Sequence, residues 1–394
     1  MAIIGGGYTG LAAARALARR GADVTVLERH TLGWGASGRN GGFVLPGFKP
    51  EIEALARRHG VVEARRLFEL SVQAVRGLEA LIAEEKIDCG YVRCGTVVLA
   101  ARPGHLAGLE RSHHFLREAL GHETTLLRAS ELRAEIGSVR YQGGLLDPFA
   151  GSVQPALLVQ GLARAAERAG ARLVEGAEVR RVERRADGHL VTTATGAVRA
   201  RQVLVATNGY TGAAVPALRR RVVPVGSYLI ATTPLEPALA ARLVPRGRVL
   251  SDTKHLLYYF RLSPDGRMVF GGRAAFTPTA IARSAEILTR GMTEVFPELA
   301  GVPVEYAWGG QVGLTLDQMP HAGRLDGVHY ALGYGGHGVA IATWLGARMG
   351  DALAGAGEIP RLTSPFRAVP LYGGAPWFLP LVGGYYRMRD LVGR

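Results

Sequence analysis

Cysteine is nearly missing from this 394-residue chain. Cys89 and Cys94 are too few for a disulfide scaffold and lack the second pair of ligands that a zinc site wants, so a reducing cytoplasm is the expected setting. No apolar run reaches the ~18 residues of a membrane-crossing helix. Met1-Ala2-Ile3-Ile4 has neither the basic stretch nor the cleavage site of a secretory signal. Lysine is scarce as well, with Lys49, Lys86 and Lys254 supplying three of 47 basic residues. The formal charge of +14 is therefore an arginine charge. Those arginines are scattered through helical segments (Arg15, Arg19, Arg164, Arg168, Arg348) rather than clustered among aromatics, so no nucleic-acid partner is expected. With 54 glycines, the pattern reads as the codon bias of a GC-rich genome.

Apolar residues are plentiful at 48% against 20% charged, enough to bury the cores of two or three domains. Residues 2–4 and Gly5-Gly6-Gly7-Tyr8-Thr9-Gly10 read as strand, tight turn and helix start. The helix runs from about Thr9 to Arg20, and Asp23–Leu27 forms a second strand ending at Glu28. In such a βαβ unit Gly5 permits the turn, Gly7 lets backbone approach a pyrophosphate, and Gly10 lets helix and strand pack closely. The helix N-terminus offers N–H groups to phosphates, and Glu28 falls where an acid accepts the hydroxyls of an adenosine ribose. Together these spacings predict a dinucleotide site. Strands of this kind usually have several residues of lead-in, so an upstream start or a lost N-terminal tail is expected.

The next segment, Gly33-Trp34-Gly35-Ala36-Ser37-Gly38-Arg39-Asn40-Gly41-Gly42, separates flavin from nicotinamide. A nicotinamide domain would continue with a helix and strand, whereas small residues suggest backbone laid along an extended cofactor. On this string the chain resembles the D-amino-acid oxidase superfamily of FAD enzymes. Within it the chain is most similar to the γ-glutamylputrescine oxidase type of amine oxidase, whose signature contains a GASGRNGG-like string. The resemblance covers nearly the whole chain. It implies an α/β fold (α+β overall), with a Rossmann-like FAD-binding domain of the glutathione-reductase type and a discontinuous antiparallel-sheet substrate domain.

It also implies cofactor contacts from Gly5, Gly7, Tyr8, Thr9, Gly10, Glu28 and Arg29, and from Gly35, Ala36, Ser37, Arg39, Asn40, Gly41 and Gly42. Leu146-Asp147-Pro148 leads through Pro155 into the helix Ala156–Ala169 and on to Val179, whose counterpart in the family touches the adenine through its backbone. Val203–Gly209 looks like the next buried strand and its turn, bringing Thr207, Asn208 and Gly209 to the cofactor. Gly333–Val339 precedes a helix expected over Ala340–Ala354. The resemblance sets this loop against the flavin's pyrimidine edge, with Gly335, Gly336, His337, Gly338 and Val339 in contact. Backbone N–H groups and the helix dipole would stabilise the negative charge of reduced flavin there. Some relatives tether FAD through a cysteine in the C-terminal half or a histidine just after a tryptophan matching Trp34. Neither residue is present here, so non-covalent FAD is expected.

The FAD domain is expected over residues 1–48, 142–216 and 306–362, and the substrate domain over 85–141 and 217–305. Strands are predicted at Tyr91–Ala100, Val222–Thr232, His255–Leu262 and Arg267–Arg273, with a hairpin turn at Ser263-Pro264-Asp265-Gly266. Residues 49–84 read as helices, Glu51–His59 and Val61–Glu85, covering the sheet. The apolar, aromatic tail, 363–394, is expected to pack on the FAD domain, with a peripheral membrane or partner contact as the rival reading.

The superfamily's chemistry implies a hydride passing from the amine-bearing carbon to flavin N5, which requires orientation of the C–H bond and an unprotonated amine. In glycine oxidase an arginine after a Trp-x-Gly motif clamps the substrate carboxylate. In the matching segment, Trp308-Gly309-Gly310-Gln311-Val312, that position is Val312, and the second substrate-end arginine falls at Gly336. A buried carboxylate without a bidentate partner is strongly disfavoured, so an amine with a remote or absent acid group is expected. Pocket candidates come from the strand His255–Arg261, whose alternation puts Tyr259 and Arg261 on one face and Tyr258 and Phe260 on the other, the register being uncertain by one. Arg261 is a candidate for a distant carboxylate, His337 for a contact with substrate or flavin, and Lys254 for oxygen activation. His321 is read as shaping a loop. The activity expected is oxidation of a primary or secondary amine to an imine that water hydrolyses, with oxygen reduced to hydrogen peroxide. The rivals are a dehydrogenase passing electrons to quinone or another carrier and a non-catalytic or RNA-associated flavoprotein.

Overall fold

The computed structural model describes residues 1–272, 279–363 and 365–392. The expected strand end at Arg273 lies outside them. Two sheets organise the molecule. A six-stranded sheet runs in the order His321–Leu325, Val328–Leu332, Val203–Val205, Ala2–Ile4, Thr25–Leu27 and Arg172–Val174, with only its first pair antiparallel. Its central strand, Ala2–Ile4, is fully buried because helices cover one face and a three-stranded sheet covers part of the other. The first helix, Tyr8–Ala18, starts one residue before its expected position, and the later ones span Pro155–Arg168 and Gly338–Leu353. The last begins two residues early because Gly338 already follows the cap at His337.

The second sheet has eight strands, in the order Val304–Leu314, Val223–Thr232, Met268–Gly272, Tyr258–Leu262, Val249–Asp252, Thr96–Leu99, Gly143–Asp147 and Thr125–Arg128. It is antiparallel except where Val249–Asp252 lies parallel to Thr96–Leu99. The hairpin at 263–266 closes with the Ser263 N–H donating to the Arg267 carbonyl at 2.9 Å. Of the predicted Tyr91–Ala100 strand only Thr96–Leu99 forms, because Gly95 takes a positive φ of 76° and Val92 bridges separately to Ser152. The strand predicted from His255 starts at Tyr258, since Tyr258 N–H donates to Asp252 Oδ1 and ties off the preceding turn.

Two boundaries and two packing assignments differ from the sequence reading. Residues 143–147 and 304–314 join the eight-stranded sheet, so the expected FAD segments beginning at 142 and 306 start too early. The helix Val61–Glu84 does not cover this sheet. Its buried stripe of Leu67, Leu70, Ala74, Val75 and Leu78 shares the core of Leu11, Leu17 and Leu345, in the helical layer of the six-stranded sheet. The tail also departs from expectation. Phe366 stacks on His321 and Tyr330 of the six-stranded sheet, but Leu379, Val382 and Tyr386 pack with Val223, Val225 and Leu314 of the eight-stranded one. Those strand residues form an apolar face, and the tail covers it.

Candidate active site

The glycines at the first turn set the backbone of the site. Gly5 adopts φ of +107°, and a Cβ on Gly10 would overlap the Gly5 carbonyl oxygen, which fixes how closely helix and strand approach. The Gly7 cap has no side chain, and a Cβ there would stand 2.7 Å from Ser37 Oγ. That hydroxyl instead accepts the Tyr8 N–H at 3.0 Å. Asn40 donates to the carbonyls of Ala36 and Ser37 and to the Tyr8 hydroxyl, holding the short helix Ala36–Arg39 against the first turn. At the end of the second strand, Glu28 accepts the Gly6 N–H at 2.8 Å and the His30 N–H at 3.0 Å, one on each carboxylate oxygen.

These segments open on an elongated cavity of ≈ 400 Å³. Gly5, Gly7, Tyr8, Thr9, Glu28 and Arg29 line it, with Gly35, Ala36, Ser37 and Asn40 from the glycine-rich string. Val179, Thr207, Asn208, Gly336, Gly338 and Val339 complete the expected residues along its wall. Val312 lies there as well. Sequence reasoning passed over Trp34, Tyr210, Tyr334 and residues 211–215, which also line it. Tyr210 follows the Thr207-Asn208-Gly209 turn directly, and its hydroxyl accepts the Gln311 N–H at 2.9 Å, a link across sheets with no sequence signal. Tyr334 is fully enclosed with its hydroxyl 2.7 Å from Thr9 Oγ1, and burial pushes its pKa up, as it does for Tyr8.

Other expected residues stand behind the wall. Gly10 packs on Gly5, and Gly209 on the backbone of Gln311–Gly313. Gly335 lies against Lys49 and donates its N–H to the Gly313 carbonyl. Arg39 lies over the Trp34 ring and donates to the Gly309 carbonyl at 3.0 Å. Gly41 fits under the Tyr259 ring, and the Gly42 carbonyl accepts the Val153 N–H. His337 caps the helix Gly338–Leu353, its N–H donating to the Tyr334 carbonyl. Asn208, at φ of +44°, accepts the Gly333 N–H at 2.9 Å and so fixes the start of that loop.

On the eight-stranded sheet, Tyr259 faces the glycine-rich string, packs edge-on to Phe43 and sits with its hydroxyl 3.0 Å from Ser227 Oγ. Tyr258 takes the opposite face, against Phe270 and Gly291, away from the cavity. Lys254 goes with it, ion-paired to buried Asp252 at 2.9 Å and lying over the Tyr258 ring. Arg261 shares the Tyr259 face, but its guanidinium donates to the carbonyls of Gly41, Val153 and Leu262. It is 6% exposed, and burial pushes its pKa down. Those three bonds commit the group to backbone, which removes the physical basis for reading it as a carboxylate holder.

A glycine-floored cradle, a helix whose N-cap is the glycine Gly7 and an acid at the second strand define a dinucleotide-binding flavoprotein fold, and the donor set fits FAD. The comparisons agree. The profile described as "FAD dependent oxidoreductase" (DAO) matches residues 1–352. The γ-glutamylputrescine oxidoreductase of Escherichia coli K12 is 34% identical over 99% of this chain and 92% of its own length. A probable oxidoreductase OrdL of Rhizobium meliloti is also 34% identical, with the same coverage. Glycine oxidase from Geobacillus kaustophilus superposes with a TM-score of 0.79 at 24% identity, over 94% of this chain and 98% of that one. The chain belongs to the DAO family of FAD-dependent oxidoreductases.

Proposed function

We propose that this enzyme oxidises a primary or secondary amine that presents no clamped α-carboxylate, with an amine of the γ-glutamylputrescine kind as the leading candidate. Val312 carries the reading: the position that would hold a carboxylate clamp is a valine in the cavity wall. Gly336 adds to it, since a Cβ there would meet nothing within 4 Å, leaving room for a long substrate where glycine oxidase has an arginine. Among the described lining residues, the arginines Arg29 and Arg180 come from segments beside Glu28 and Val179, at the ribose end. The 34% identity to γ-glutamylputrescine oxidoreductase points the same way.

FAD held without a covalent bond supplies the two-electron acceptor. Gly5, Gly7 and the N-terminus of Tyr8–Ala18 would hold its pyrophosphate, Glu28 its ribose, and Gly336–Val339 the pyrimidine edge. Tyr259, steadied by Ser227, would orient the amine from the sheet side. The overall change takes R–CH2–NH2, O2 and H2O to R–CHO, NH3 and H2O2, in the cytoplasm. Anaerobic bleaching near 450 nm across γ-glutamylputrescine, putrescine, N-methylated amino acids, glycine and D-alanine tests this. Bleaching by an amine without an α-carboxylate, followed by peroxide on readmitting air, is the expected result. Bleaching by α-amino acids alone would overturn the substrate reading, and bleaching without peroxide would overturn oxygen as acceptor.

A further inference from the structure

A helix packed on a sheet ordinarily turns a polar face to water. On the C-terminal helix, Leu379–Val392, several large apolar side chains face water instead. Leu379, Val382 and Tyr386 meet the eight-stranded sheet, and Asp390 anchors the far end by accepting the His255 and Leu256 N–H groups at 2.9 Å each. The outward side carries Leu381 (71% exposed), Tyr385 (49%) and Met388 (57%), and Trp377 (62%) continues the row just before the helix. The spacing of four, four and three residues from Trp377 to Met388 makes this a single stripe. Pro380 and Gly384 fill the gaps, and Arg389 is an exposed charge beside it, donating to the Tyr385 hydroxyl at 3.1 Å.

The charge along this segment is mainly positive. Residues 365–392 hold three arginines and one acid, Asp390, whose carboxylate is already bonded to backbone. Arg220 and Arg367 are exposed on the adjoining segments, which are joined by the Val369 N–H donating to the Arg220 carbonyl. A second copy docked on this stripe would bring arginines face to face on a protein of net charge +14. An anionic lipid surface neutralises them, and tryptophan, tyrosine and leucine on one side of a helix flanked by arginine suit the headgroup region. With 14 residues the helix is too short to cross a bilayer.

We propose that Trp377, Leu381, Tyr385 and Met388 dock this enzyme on the surface of an anionic membrane, the helix lying in the interface plane. The inner side of the helix shares its apolar cluster with Val312, so the helix backs the wall of the candidate active site while its outer side carries the docking row.

The test is sedimentation of flavin-loaded enzyme with vesicles of mixed phosphatidylglycerol and phosphatidylcholine, against phosphatidylcholine alone. Wild type should bind the anionic vesicles and weaken as salt rises. Leu381→Glu/Met388→Glu should bind roughly tenfold or more weakly while keeping its flavin absorbance, which reports folding. Val62→Glu/Val139→Glu makes the same charge change at residues 86% and 88% exposed on other elements, and it should bind like wild type. Vesicles should blue-shift the tryptophan emission, and Trp377→Phe should remove that shift. Equal loss in both double variants would mean attraction by bulk charge and overturn the proposal. So would no vesicle binding, whether the enzyme is a monomer or a dimer that Leu381→Glu/Met388→Glu dissociates.

Discussion

Arg261 Nε donates to the Gly41 carbonyl at 2.7 Å, so a strand of the eight-stranded sheet is bonded directly to the glycine-rich string that lines the candidate cofactor cavity. Its Nη2 donates to the Val153 carbonyl at 2.9 Å from the same buried position. Arg261→Met would leave carbonyls without donors and should cost about 2–4 kcal/mol, taking hydrogen bonds to a charged group at ~1.5–3 kcal/mol each with partial relaxation. Thermal unfolding should show the loss with flavin bound. A raised KM with unchanged melting temperature would instead mean that Arg261 binds substrate.

Gly10→Ala should abolish flavin binding or yield insoluble protein. The obstacle is the Gly5 carbonyl oxygen, a backbone atom in a fully buried turn that cannot swing aside. The flavin-to-protein absorbance ratio of the purified variant is the readout.

Glu28→Ala removes an acceptor that holds two backbone N–H groups and faces the cavity. FAD affinity should fall roughly 10- to 100-fold, the equivalent of ~1.5–3 kcal/mol for charge-assisted bonds. Titration of apoprotein with FAD gives the number. Acid precipitation of wild type should leave the yellow colour in the supernatant, and colour in the pellet would refute non-covalent attachment.

Val312→Arg places a guanidinium at the clamp position. Glycine and N-methylated amino acids should begin to bleach the flavin, and turnover of the preferred amine should drop at least roughly tenfold as the pocket fills. Steady-state kinetics on both substrate sets checks the exchange. No gain with α-amino acids would remove Val312 as the specificity position.

Asp317 ties the strand end at Leu314 to the antiparallel pair of the six-stranded sheet. Burial raises its pKa, but bonds from His321 Nε2 at 3.0 Å, the Met319 N–H and the Thr363 hydroxyl prevail and hold it at about 2. A carboxyl depressed on folding stabilises the native state above its unfolded value of ~4, and that contribution fades as pH falls towards 2. Asp317→Asn should therefore melt below wild type at neutral pH, with the gap closing between pH 4 and 2. A constant gap would show that the carboxylate charge is irrelevant.

The first βαβ unit was legible because its signals are local. A turn needing Gly5, a contact needing Gly10 and an acid one strand later all lie within residues 2–28, where backbone sterics act over a few bonds. The alternation that set Tyr259 and Arg261 against Tyr258 and Phe260 was legible for the same reason. What Arg261 does with its face was not, because Gly41 and Val153 are 220 and 108 residues away. The helix Val61–Glu84 was readable as a helix but not in its destination, since an apolar stripe packs equally well on a sheet or on other helices.

The residues alone were enough to specify a dinucleotide cradle and its flavin-type continuation. Long-range packing set the rest: residues 143–147 and 304–314 belong to the eight-stranded sheet, Arg261 is consumed by backbone carbonyls, and the C-terminal helix covers Val223, Val225 and Leu314. Each of those depends on which surfaces are left apolar or unbonded once everything else has packed, a property of the whole fold that no local spacing encodes.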